Sequence, residues 1–190
     1  MKRLGFIFLL AVVGCTTSNQ NEELSGTSGV PENGAPYFFD DTPELKRLTY
    51  FNLSGILTTS GYSKNGKRAG AWVDYFENGA PKIITTYIDG KKEGLYMELD
   101  DYGKIVKMMN YHQDLRDGDY KEFNGSIVKE ERFYKNDKLE GRVRIFYPDG
   151  KIMEEGAYKD GTRHGISKWF DQNGFATIEY EYKNGELIKK

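Results

Sequence analysis

From residue 48 onward the chain is built of short runs rich in Tyr, Phe, Ile, Val and Thr, separated by turn-forming residues. Ala71-Trp72-Val73-Asp74-Tyr75-Phe76 and Arg142-Val143-Arg144-Ile145-Phe146-Tyr147 are typical runs. β-branched and aromatic side chains suit a pleated, half-buried surface, so each run predicts a strand. No run has a helical period; the one candidate for a helical turn is residues 42–47. Between the runs stand six Asn-Gly pairs (at Asn33, Asn65, Asn78, Asn124, Asn173 and Asn184) and four Asp-Gly pairs (at Asp89, Asp117, Asp149 and Asp160). Type I′ hairpin turns need positive φ at both central residues, which Asn or Asp followed by Gly tolerates best. Strand, turn, strand, turn predicts an antiparallel meander.

The pattern repeats. Tyr62, Tyr87, Tyr111, Tyr134, Tyr158 and Tyr182 are 25, 24, 23, 24 and 24 residues apart. Each is followed by a turn residue (Gly66, Gly90, Asp114, Asp137, Gly161, Gly185). Four residues later, in the first five units, stand Gly70, Gly94, Gly118, Gly141 and Gly165. A third series, Gly55, Gly79, Gly103, Gly125, Gly150 and Gly174, marks the middle of each unit. The fold expected is all-β, an elongated ribbon of repeated hairpins with a period of about 24 residues, in six units of which the first and last are incomplete. Gly118 and Gly125 are closer than their counterparts, so the third hairpin is short, and Asp114 and Asp137 at glycine positions predict a local twist or bulge. Equivalent positions Tyr75, Leu99, Phe123, Phe146 and Phe170 predict a core ladder on one face, with the tyrosine series as a second ladder near the strand ends.

Gly66-Lys-Arg-Ala-Gly70-Ala-Trp72-Val-Asp-Tyr75-Phe76-Glu-Asn-Gly79 resembles the MORN repeat, in the variant typical of bacterial YwqK-type proteins. The pattern returns from Asp149-Gly150-Lys151 through Tyr158 and Gly161 to His164-Gly165. The resemblance implies a non-enzymatic module for protein, lipid or scaffold contacts. It also implies an alternative, because YwqK-type proteins are commonly labelled antitoxins that neutralise a cognate toxin by binding it.

The first residues read as an address. Lys2 and Arg3 precede an apolar stretch over residues 4–14, too short to span a bilayer as a helix and of the length of a signal-peptide core. Val12-Val13-Gly14-Cys15 resembles the lipobox of bacterial lipoproteins. That resemblance implies cleavage before Cys15, a diacylglyceryl thioether on its sulfur, and anchoring in a membrane, since more than one acyl chain is needed for stable attachment. The expected division is a signal peptide at 1–14, a lipidated Cys15 with a flexible polar tether to residue 36, and a repeat domain at 37–190. The expected location is the cell envelope, on the outer membrane in a Gram-negative cell.

Composition narrows the chemistry. With 27 basic and 29 acidic residues the net charge is −2, without the basic excess of a nucleic-acid binder. The single Cys excludes a disulfide framework and, once acylated, a redox thiol. His112 falls in a turn and His164 beside Gly165, with no convergent set of metal ligands around either. Glu130-Glu131 and Glu154-Glu155 lie on expected strands, where alternation sends neighbours to opposite faces instead of pairing them for catalysis. No catalytic residue, metal or small-molecule cofactor is expected, and the partners expected are the bilayer, through Cys15, and an unidentified protein. The remaining candidate is surface. Trp72, Tyr96 and Tyr120 occupy equivalent repeat positions opposite the Tyr75 face. They form either a packing stripe between units or a partner-binding face.

Overall fold

The computed structural model describes residues 34–189. Over that range the chain forms fifteen strands in one open, wholly antiparallel sheet. The first five are β1 (Ala35–Phe38), β2 (Leu45–Phe51), β3 (Leu57–Lys64), β4 (Lys67–Tyr75) and β5 (Pro81–Ile88). Then come β6 (Lys91–Leu99), β7 (Ile105–His112), β8 (Leu115–Asn124), β9 (Ile127–Lys135) and the two-residue β10 (Lys138–Leu139). The last are β11 (Gly141–Phe146), β12 (Ile152–Lys159), β13 (Thr162–Phe170), β14 (Ala176–Lys183) and β15 (Glu186–Lys189). Each strand pairs with its neighbours in sequence, except that β10 pairs only with β9, which continues to β11. The meander expected from the sequence is the fold. Residues 42–47 form no helix: Leu45 N donates to Thr42 O at 2.9 Å and the chain passes directly into β2. β1 begins at Ala35, two residues inside the stretch read as tether.

Turn chemistry divides the sheet into two unlike margins. Along one, Asn65-Gly66, Asp89-Gly90, Asp160-Gly161 and Asn184-Gly185 have both residues at positive φ, the type I′ signature. Gln113-Asp114 and Asn136-Asp137 adopt the same turn without glycine (φ 52° and 70°, 46° and 64°); the register shift that follows in β7–β8 is the one that other hairpins also carry, and after Asp137 the strand is interrupted between β10 and β11. Their carboxylates supply the compensation, Asp114 accepting from Lys92 N at 2.7 Å and Asp137 from Arg116 N at 3.0 Å in the preceding hairpin. Along the other margin Asn78-Gly79, Asp149-Gly150 and Asn173-Gly174 close longer loops in which only the glycine has positive φ. Asn124-Gly125 makes the short hairpin, with Asn124 paired to Ile127. Asp117-Gly118 lies within β8 and makes no turn.

Gly70, Gly94, Gly118, Gly141 and Gly165, all at positive φ, stand opposite Tyr87, Tyr111, Tyr134, Tyr158 and Tyr182 across the ladder. Tyr62 breaks that series. Ser63 occupies the equivalent place, three residues before its turn glycine, and Tyr62 falls on the opposite face, exposed.

Directly paired residues share a face, which assigns every side chain. Leu48 pairs with Gly61, and Trp72, Thr85, Tyr96, Met109, Tyr120 and Arg132 follow in one row. Among the described residues every buried side chain (Leu48, Ser63, Trp72, Thr85, Tyr87, Met109, Glu130, Tyr134, Val143 and Ser167) lies on this face. It is termed the packed face. The core ladder expected at Tyr75, Leu99, Phe123, Phe146 and Phe170 lies on the other, open face and is only half-buried. Size and apolarity pointed to a core, but a single layer leaves that face without a covering element.

Candidate binding faces of the sheet

On the packed face, aromatic rings and cations interleave. The residue two places past a type I′ turn glycine is basic in three units, and in all three it reaches rings of both its own and the next strand. The Arg68 guanidinium lies 4.4 Å from the Trp72 ring centroid and 5.2 Å from that of Tyr87, and donates to the Tyr87 hydroxyl at 2.9 Å. Arg163 lies within 5.5 Å of Tyr158, Trp169 and Tyr182. Lys92 sits 5.0 Å over Tyr111, and Arg116, which follows Asp114, 4.2 Å over Tyr134. These contacts join one unit to the next, so the cations act as packing groups with their stems along the rings.

The three aromatic residues singled out in the sequence lie in this row, separated by Thr85 and Met109. Trp72 is 3% exposed and its Nε1 donates to Tyr62 O at 2.8 Å. Tyr96 and Tyr120 are half-buried, donating to Glu98 at 2.6 Å and Glu122 at 3.1 Å. Burial and the adjoining Glu98 carboxylate hold the Tyr96 phenol far above its ordinary value, and burial with Glu122 pushes Tyr120 up to about 12. Both therefore stay neutral donors at physiological pH. The indole is spent on packing between units; a contact surface needs area that Trp72 does not offer. Cys15 and the leader lie outside the described residues.

The open face carries a feature that the sequence reading missed. One row crosses the sheet as Ala35, Thr49, Ser60, Val73, Ile84, Met97 and Met108. It then continues as Lys121, Glu131, Arg144, Glu155, Lys168 and Glu179. Seven uncharged residues give way to six that alternate in sign. The charged half is internally paired: Lys121 to Glu131 at 2.9 Å, Arg144 to Glu131 at 3.6 Å and to Glu155 at 2.8 Å, Lys168 to Glu179 at 2.9 Å. The uncharged half is flanked by Tyr75, Leu99 and Ile105 on one side and Ala71, Thr86 and Leu95 on the other, with the cations Arg47 beside Thr49 and Lys82 beside Ile84 on the same face. None of its side chains is buried. The repeat spacing of Ile84, Met108, Glu131, Glu155 and Glu179 was a signal for half of this row; joining it to Val73, Met97, Lys121, Arg144 and Lys168 required the hairpin register.

The β11–β12 hairpin shows one unit complete. Gly141 at positive φ faces Tyr158, the Tyr147–Gly150 loop closes through Gly150 N to Tyr147 O at 2.9 Å, and Asp160-Gly161 ends it. Residues 139–160 match the family described as MORN repeat variant. No curated protein matches the chain. A MORN repeat suggests a binding or scaffold module. The MORN unit donates Gly161 N to Leu139 O at 2.9 Å at its margin, and the same bond recurs at Gly90 to Arg68, Asp114 to Lys92, Asp137 to Arg116 and Gly185 to Arg163.

The titratable groups are bound up in this stacking. His112 Nδ1 lies 2.9 Å from Glu93 Oε1, and that bond, with one from Gln113 N, holds the Glu93 carboxyl below its usual range. His164 Nδ1 lies 3.5 Å from Asn184 N. Glu130 and Glu131 fall on opposite faces, as do Glu154 and Glu155. Among the described residues no three His, Cys, Asp or Glu side chains are grouped to hold a metal ion. No described helix is long and apolar enough to cross a membrane.

Proposed function

We propose that this chain is a membrane-anchored lipoprotein displaying a MORN-type sheet as a non-enzymatic binding or scaffold module, with the uncharged half of the open-face row as its contact surface. The observation that carries the reading is the row from Ala35 to Met108, one uncharged residue on each of seven strands, without a covering element. A sheet with an apolar face is stable when that face is buried against another element. The anchor rests on Lys2, Arg3, the apolar stretch over residues 4–14 and Cys15.

The test is chemical cross-linking in intact cells followed by affinity capture and mass spectrometry, on the native chain, Cys15→Ser and the double variant Ile84→Glu/Met97→Glu. A stoichiometric partner, lost in both variants, is the expected result. A partner retained by Cys15→Ser removes the anchor from the reading; one retained by the double variant removes the open face. A captured protein that is toxic when expressed alone would make this an immunity-type protein.

A further inference from the structure

We infer that the chain modifies itself at two of its Asn-Gly pairs. Asn65 and Asn124 convert to aspartate and isoaspartate through a cyclic imide, while the fold holds back the other described pairs at Asn78, Asn173 and Asn184.

The chemistry is intramolecular. The deprotonated backbone nitrogen of the glycine attacks Cγ of the asparagine side chain; the N–Cγ bond forms, the Cγ–Nδ2 bond breaks and ammonia leaves. Water then opens the five-membered imide at either carbonyl, which yields a carboxylate on a normal backbone or on one lengthened by a methylene. Water is the only co-reactant, and glycine hinders the attack least because it has no side chain. The nitrogen must be free to give up its proton and to swing toward Cγ. An N–H that donates to a carbonyl has to break that bond first.

Both margins of the sheet normally engage this N–H. In five of the six tight turns along one margin the second turn residue donates to a carbonyl of the preceding hairpin, as Gly185 N does to Arg163 O at 2.8 Å. In five of the six loops along the other, the glycine donates three residues back, as Gly79 N does to Phe76 O at 2.9 Å and Gly174 N to Asp171 O at 3.0 Å.

The two exceptions are the two irregular places of the repeat. At the start of the sheet Glu44 O takes its bond from Asn65 N at 3.1 Å, one residue early, and the Gly66 N–H is left without an acceptor. Between β8 and β9 the hairpin is too short for the loop bond. Asn124 pairs with Ile127, and the Gly125 N–H is left without an acceptor as well. Both pairs are exposed, and among the described residues no hydrogen bond holds the side chain of Asn65 or Asn124. Asn78 is the contrast, its side chain accepting from Ala80 N at 2.9 Å and donating to Asp101 O at 3.2 Å. At Asn65 the added methylene falls in a turn that two residues fill between the paired Lys64 and Lys67, so modification disrupts the tip of the β3–β4 hairpin.

The experiment is peptide mapping by mass spectrometry of the full chain during incubation at mildly alkaline pH, folded and in guanidinium chloride. The inference expects the exchange of ammonia for water at Asn65 and Asn124 to run about fivefold ahead of that at Asn78, Asn173 and Asn184, the factor that one ordinary hydrogen bond supplies. It expects the five rates to converge in guanidinium chloride. Fragmentation that separates isoaspartate from aspartate is expected to find both products at each site, the signature of the imide. Equal rates at all five pairs in the folded chain overturn the inference, as does a lead by Asn78, Asn173 or Asn184. A ranking that persists in guanidinium chloride also overturns it, because the order would then belong to local sequence and not to the fold. Aspartate without isoaspartate removes the imide route.

Discussion

The indole of Trp72 occupies the space that any side chain on Gly61 would need: a Cβ built on Gly61 lies within 2.5 Å of three atoms of the ring, far inside van der Waals contact. The two stand on neighbouring strands, and Leu48 pairs with Gly61 from the other side, so the glycine is the floor of the cluster of Leu48, Trp72 and Tyr87. This glycine is needed for close approach, not for positive φ. Gly61→Ala is expected to destabilise the fold by about 1–3 kcal/mol through overpacking. The check is urea denaturation followed by tryptophan fluorescence. An unchanged midpoint would mean that the indole is free to move aside.

Arg68 tests the packing role of the cations. Leu139 and Leu187 stand at the equivalent position in other units, so the site accepts an aliphatic stem. Arg68→Leu is expected to cost about 1 kcal/mol, the worth of a shielded cation–π pair less the regained packing. Arg68→Ala is expected to cost more, since it also uncovers Trp72 and Tyr87. Equal losses in the two variants, measured by thermal unfolding, would assign the whole effect to charge.

The Asp137–Arg116 pair predicts an acid limb. Its side-chain bond to Arg116 at 2.7 Å, with the backbone bond from Arg116 N, holds the Asp137 carboxyl below the usual carboxylate range. In the unfolded chain the same group titrates near 3.9. The unfolded state therefore takes up the proton first, and the stabilisation is present above about pH 4 and lost as pH falls through the lower folded value. Glu93, Asp117 and Glu122 are shifted in the same direction and add to the limb. Asp137→Asn is expected to lower stability at neutral pH and to flatten the decline between pH 5 and 3 relative to the native chain, the window of that titration. Parallel pH profiles would show that the pair contributes nothing.

Much of this architecture is legible in the residues. The Tyr and Gly periods expose the units, and the structure explains their phase: bulge glycines at Gly70 and Gly94 face Tyr87 and Tyr111. Identical dipeptides misled where tertiary context differs, Asn65-Gly66 being a type I′ turn, Asn78-Gly79 the end of a longer loop and Asp117-Gly118 part of a strand. The core was assigned to the wrong ladder because size does not reveal which face of a single layer is filled; Arg68, Trp72 and Tyr87 fill theirs by interleaving across strands. For Trp72 the sequence leaves packing and contact open, and its burial in the cluster with Leu48 and Tyr87 decides for packing. The row from Val73 to Glu179 is only half legible from repeat spacing, since its members alternate between strands running in opposite directions and the register joins the two halves.

The most direct test of the open face as the contact surface is hydroxyl-radical footprinting of Met97, Met108 and Met109 in the full chain, in intact cells and purified at high dilution. Met108 and Met109 are adjacent in sequence, one half-buried on the open face and the other 8% exposed on the packed face. At dilution Met97 and Met108 are expected to oxidise faster than Met109. In cells Met97 and Met108 are expected to become protected while Met109 keeps its rate. Equal oxidation of Met97 and Met108 under both conditions would contradict the account.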